Sequence, residues 1–233
     1  MIRLLLLTMM FLTSVSSWAV VIDYRHEIND RVGNSHKDRL LLSHRFANGF
    51  GLSLEGMWKG SQNKDKALHE TVSNGTEVVL SYVYKINPTW QVEPGFSLVS
   101  GSSTNNYRPY LRGRYILSED VNVSLRYRPY FLRSSGNIGT EKSTSENGYN
   151  LTGVFAWNFY KDYYVAYELD YKKSNSDGVV LANNKSYEVN HDVFFSYKLD
   201  RNWQPYIAIG NIPGSTLTNE RQTRYRMGVM YTF

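Results

Sequence analysis

The residues with the most chemistry to offer are arginines at even spacing: Arg108, Arg112 and Arg114, then Arg126 and Arg128, and near the end Arg224 and Arg226. Even spacing puts each set on one face of a β-strand, because successive strand side chains point to opposite faces. Arg25, Arg39 and Arg45 hold the same kind of position in two earlier segments. A guanidinium stays charged at physiological pH and offers a planar fork that matches a carboxylate. One solvated contact of this kind at about 4 Å is worth only about 1 kcal/mol. Several weak anion sites in series favour movement along the row over capture at any one point.

Other chemistries find less support. His26, His44 and His191 lie on the opposite, apolar faces, as interfacial histidines do. An outer-membrane phospholipase would need an activated serine and a carboxylate or carboxamide partner on that face, and none is evident. Glu168 and Asp170 are neighbours on one strand face, which suits solvated lining better than a glycosidase pair. The sequence has no cysteine, no metal-ligand cluster and no glycine-rich phosphate cradle, so no cofactor or metal is expected. The net charge of +5 is compatible with several anionic partners, but arginines turned into an exported barrel argue against nucleic acid.

The elements that must position these arginines begin after an N-terminal signal. Arg3, the apolar run from Leu4 to Leu12 and the Ser17-Trp18-Ala19 triplet read as a secretory signal peptide over residues 1–19. Residues 20–233 then form one all-β domain. Nearly every segment alternates apolar and polar residues at the strand period, and none keeps a helical stripe. Val121, Val123, Leu125, Tyr127, Pro129 and Phe131 share one face, and Asn122, Ser124, Arg126, Arg128 and Tyr130 the other.

Twelve strands are expected, near 20–28, 38–46, 50–59, 75–86, 90–100, 107–117, 121–132, 148–159, 163–173, 186–199, 203–211 and 222–233. Short connections at Ala47-Asn48-Gly49, Asn87-Pro88-Thr89, Ser118-Glu119-Asp120, Tyr160-Lys161-Asp162 and Asp200-Arg201-Asn202 alternate with long polar ones, as in an outer-membrane barrel. Phe46, Phe50, Trp90, Phe159, Tyr163 and Trp203 flank the short turns as an interfacial girdle would. Val229, Tyr231 and the terminal Phe233 close the chain on outward positions, an ending that resembles a barrel-assembly signal. The fold predicted is a transmembrane antiparallel β-barrel of about 12 strands, with a pore between the filled lumen of eight strands and the wide channel of 16 to 18.

Parity then turns ten arginines inward: Arg25, Arg39, Arg45, Arg108, Arg112, Arg114, Arg126, Arg128, Arg224 and Arg226. In a ring of twelve, strands six and seven lie opposite strands twelve and one, so the arginines form two facing rows. Glu55, Glu77, Glu93, Glu168, Asp170, Glu188 and Asp192 are inward acids, mostly between the rows. The competing arrangement is a lumen filled by its own ion pairs, with Arg25 and Glu27 the first pair to expect.

At these residues the sequence resembles a known family. The segments DYRHE (23–27), SHRFANGFGL, VSNGTEVV, SGSSTNNYRPYLRGR, RYRPYF, SGNIG and ERQTRYR resemble the oligogalacturonate-specific porins of the KdgM type, over essentially the whole chain after residue 19. The resemblance implies a monomeric twelve-stranded barrel in the Gram-negative outer membrane. It would be inserted by the barrel assembly machinery, surrounded by outer-membrane lipid, and open to acidic oligosaccharides, chiefly oligogalacturonates, between two arginine tracks. Arg108, Arg112, Arg114, Arg126, Arg128, Arg224 and Arg226 fall in matching segments. The expected function is passive, anion-selective uptake without catalysis. The alternatives are a structural or adhesive barrel with a plugged lumen, and an outer-membrane phospholipase. The loops near Lys59–Val72 and Lys173–Ser186 are where selectivity would vary.

Overall fold

The computed structural model describes residues 20–30, 36–60, 71–137, 140–141 and 145–233. The signal segment 1–19 and most of the 59–72 loop lie outside the described residues. Twelve strands follow one another: β1 (Val20–Asn29), β2 (His36–Arg45), β3 (Phe50–Gly60), β4 (Thr71–Tyr82, resumed at Tyr84–Lys85), β5 (Trp90–Ser100) and β6 (Thr104–Ile116). The second half comprises β7 (Val121–Ser134), β8 (Glu146–Phe159), β9 (Tyr163–Ser174), β10 (Tyr187–Tyr197), β11 (Trp203–Pro213) and β12 (Arg221–Thr232). The one helical element among the described residues is a 3₁₀ turn at Ser135–Asn137.

Each strand pairs antiparallel with the next, and β12 returns to β1 from Val21↔Thr232 to Asn29↔Arg224. The sheet is therefore a closed barrel of twelve strands. In hydrocarbon an unpaired amide costs several kcal/mol, and closure leaves no edge.

Burial is inverted relative to a soluble protein. Leu125, Ile207 and Met227 are more than half exposed on the outer surface, whereas Ser97, Ser196 and Thr152 are almost fully buried against the inner wall. Aromatic rings gather at both outer rims. Near the short turns, Trp90 packs on Tyr115 and Trp203 on Tyr231, each pair with centroids 4.7 Å apart. Near the other end, Tyr127, Tyr149, Tyr171 and Tyr187 form a continuous ladder.

The short turns close through their own side chains. The Asn87 and Asp200 carboxyl or amide oxygens accept the amides of Trp90 and Trp203, both at 2.7 Å, and Ser118 accepts that of Val121 at 3.1 Å. These are the local bonds that favour Asn, Asp and Ser in turns. Two backbone amides hold the Asp200 carboxyl below the usual carboxylate range. Gly49 sits at φ +93°, where an added Cβ would lie 2.6 Å from the Val83 carbonyl oxygen. That oxygen belongs to the break in β4, whose amide bonds back to Gly49.

One expected long loop is absent. β6 starts at Thr104, so only residues 101–103 separate it from β5, closed by the Gly101 amide on the Thr104 carbonyl at 2.8 Å. Polar, half-buried Thr104, Asn105 and Asn106 extend the sheet, paired with Ser134, Arg133 and Leu132, where their composition suggests loop. On the opposite side of the same rim, Asn184 donates from its backbone to Thr216 and from its side chain to Leu217, both near 2.8 Å. This fastens the loop after β9 onto the loop after β11.

The outward assignment of β7 can be tested directly. Leu125→Arg should destabilise the barrel in lipid vesicles by about 2 kcal/mol or more, while Ser124→Arg, on the inner face, should change stability by less than about half of that. Urea unfolding followed by tryptophan fluorescence measures both, and equal effects would sink the face assignment.

Candidate functional site: an arginine-lined lumen

The inner wall carries the charges, and cross-strand register decides which ones meet. On the β12–β1–β2 side, Arg25 lies directly opposite Arg39. Arg39 bonds the carboxylate of Asp23 and reaches Glu55 at 3.4 Å. Tyr206 on β11 donates to the other Asp23 oxygen at 2.7 Å. Arg224 and Arg226 both bond Asp192 on β10, a side chain only 4% exposed. Two rows of opposite sign are thus joined strand to strand.

On the β6–β7 side, Arg112 lies directly opposite Arg126, and both guanidinium groups stand about 6 Å from the Tyr110 ring. Arg108 bonds Glu77 at 2.5 Å and Ser97 at 3.0 Å. Arg112 bonds Glu93 at 3.2 Å, and Arg45, arriving from β2, bonds the same carboxylate at 3.3 Å. Among the described residues, the one hydrogen bond of the Arg126 side chain goes to the Thr152 hydroxyl, at 3.2 Å. Arg114 and Arg128 make no hydrogen bond or ion pair with any described residue.

Room for these side chains comes from glycines at the paired position on the neighbouring strand. Tyr110 lies on Gly95, Tyr130 on Gly148, Tyr206 on Gly228, and Asp192 on Gly210. A Cβ at any of the four would stand 2.1–2.7 Å from those side chains. The side chains therefore lie flat along the wall instead of crossing the bore. A cavity of about 520 Å³ remains, bordered by Arg45, Glu77, Glu93, Arg112, Arg126 and Arg128 among others. Below it, a second of about 600 Å³ opens towards the turn at 46–49.

Comparison with known proteins identifies this architecture. The family model described as "Oligogalacturonate-specific porin protein (KdgM)" matches residues 13–233. The chain belongs to the oligogalacturonate-specific porin family. Its curated relatives in this family include the oligogalacturonate-specific porin KdgM of Dickeya dadantii (strain 3937), 57% identical over 100% of this chain and 99% of that protein. A solved KdgM porin in complex with disordered oligogalacturonate superposes with a TM-score of 0.71 at 52% identity, covering 92% of this chain and 99% of that one. The NanC porin, at 21% identity, shares the fold, with a TM-score of 0.76 and coverage of 91% and 100%. Members of this family are outer-membrane porins, and so this chain is an outer-membrane barrel.

Within this porin, the ten arginines expected on the inner wall divide unequally. Arg25, Arg39, Arg45, Arg108, Arg112, Arg224 and Arg226 have carboxylate partners, and Arg114, Arg126 and Arg128 have none among the described residues. The Arg25–Glu27 pair expected from sequence is long, at 3.9 Å, and Lys37 lies closer to Glu27, at 3.3 Å. Acids also reach the β6–β7 row itself, through Glu77 and Glu93, and are not confined to the strands between. On the outer face His26 does have a carboxylate partner, Asp38 at 2.8 Å, which also accepts from Tyr24. The other ring nitrogen of His26 meets His36, at 3.1 Å.

Asp192 is the keystone of the paired wall. Asp192→Asn should lower stability by about 2 kcal/mol, because Arg224 and Arg226 would be left together without their shared counter-charge. The midpoint of urea unfolding in detergent reads it, and an unchanged midpoint would show that the two arginines are adequately solvated without Asp192.

Proposed function

We propose that this porin admits acidic oligosaccharides, chiefly oligogalacturonates, by passive diffusion through an anion-selective lumen, acting as a monomer and without catalysis. The observation that carries the reading is the asymmetry of the arginines. Arg114, Arg126 and Arg128 stand on one wall with no carboxylate in ion-pair contact among the described residues, facing a wall whose arginines each have such a contact. A polyuronate brings one carboxylate per sugar and supplies the missing counter-charge as it passes. The ligand of the solved KdgM relative, an oligogalacturonate, has this chemistry. Residues 1–19 would serve as the export signal, and the aromatic ending at Phe233 would be recognised by the barrel assembly machinery.

The pairing of seven arginines favours a second reading, a plugged lumen with a structural or adhesive role. Conductance in a planar bilayer separates the two. The uptake reading expects stable openings, anion preference in a salt gradient, and interruption of the current by trigalacturonate at micromolar to millimolar levels. Replacing Arg114, Arg126 and Arg128 together by glutamine should weaken that interruption at least about tenfold, whereas the same change at Arg25, Arg224 and Arg226 should weaken it less. A folded barrel that never conducts would favour the plugged reading.

A further inference from the structure

Glu93 binds more partners than any other lumen carboxylate described above. It accepts from Arg45 at 3.3 Å, from Arg112 at 3.2 Å and from the Tyr110 hydroxyl at 3.0 Å. Arg45 belongs to β2 and Glu93 to β5, so this contact passes over two strands. The wall beneath is hollowed to let it pass. Arg45, Gly51, Ser81, Gly95 and Tyr110 stand in register across β2 to β6, three small residues between two large ones. A Cβ at Gly51 would lie 2.6 Å from the Arg45 guanidinium carbon. The two lumen cavities meet at this bridge, because Arg45, Glu93 and Arg112 line both of them.

A carboxylate at the junction of two chambers, held by two arginines, occupies the place a passing carboxylate would take. We propose that Glu93 is the exchangeable counter-ion of the pore: it holds Arg45 and Arg112 in the empty channel and yields them to an incoming carboxylate. Tyr110 keeps Glu93 seated against the wall during the exchange. One ion pair replaces another of the same chemistry, so the passing anion leaves the first cavity without falling into a deep trap. Without this residue the two arginines would attract anions more strongly and release them more slowly. Glu93 is in this sense a positioning residue that limits dwell time. For the sugar this rests on the uptake reading above, whereas the effect on chloride does not.

The test is Glu93→Gln, which keeps the shape and the acceptor for Tyr110 while removing the charge. The chloride-to-potassium permeability ratio, from the reversal potential in a salt gradient, should rise, and the dwell time of trigalacturonate should lengthen, each roughly three- to tenfold. Arg45→Gln, at the more exposed end of the bridge, should shorten that dwell time by a similar factor and provides the reading if the first variant does not refold. An unchanged or lowered anion preference in Glu93→Gln, or an unchanged dwell time in Arg45→Gln, would overturn the proposal. Absence of any trigalacturonate interruption in the unaltered protein would overturn the sugar uptake reading instead, and the permeability ratio alone would then decide the role of Glu93.

Discussion

Everything in this molecule depends on the requirement that each backbone amide crossing the hydrocarbon find a partner within the sheet. A β-sheet meets it only by closing on itself, as β12 does on β1 through nine consecutive residue pairs. Closure fixes alternation, because the wall then has one face in lipid and the other around a lumen, and a one-residue slip would exchange them. Leu125 and Met227 can face lipid only because their neighbours Arg126 and Arg226 face inward. The concentration of charge in the lumen is therefore as much a consequence of membrane insertion as a functional device.

A twelve-stranded bore would be obstructed if its long side chains stood upright. The inner wall avoids this by placing glycine at the paired position beside large residues: Gly95 beside Tyr110, Gly148 beside Tyr130, and Gly228 beside Tyr206. Each tyrosine lies down on the exposed backbone, and its hydroxyl donates to a carboxylate: Glu93, Glu146 and Asp23 respectively. One arrangement thus covers a bare stretch of strand, satisfies an acid and keeps the ring against the wall. It also fixes the acid's position, and through the acid the arginines that bond to it.

Strands and turns were legible in the sequence because their signals are local. Period-two alternation locates β7, and the Asn, Asp and Ser side chains that close the short turns are visible as residue types. Parity likewise groups the arginines of each strand on one face, as the pairing of Arg25 with Arg39 and of Arg112 with Arg126 reflects. Partnership was not legible, because it depends on register between strands. Glu27 lies two residues from Arg25, yet its closer cation is Lys37, brought across from β2. Nothing near Arg45 in the chain points to Glu93, which meets it across two strands. The same holds for the glycine–tyrosine pairs, since no single strand reveals that a bare position on one lies beside a ring on the next. The start of β6 is illegible for a different reason: Thr104, Asn105 and Asn106 are polar at every position, so alternation carries no signal there.

The unequal pairing of the two arginine rows has a physical logic of its own. Ten arginines without counter-charges would repel one another, weaken the barrel, and hold a polyanion too tightly for it to leave. Complete pairing would instead leave little to distinguish an acidic solute from a neutral one. Asp23, Glu27, Glu55 and Asp192 relieve repulsion where β12, β1 and β2 crowd their cations together, while Arg114, Arg126 and Arg128 across the ring make no direct ion pair with a described residue. In the proposed uptake, attraction for a passing acid would concentrate on these three arginines, where each contact in a wet lumen is worth only about 1 kcal/mol. Selectivity in the proposed uptake would come from the number of such contacts in sequence, and release from the weakness of each one.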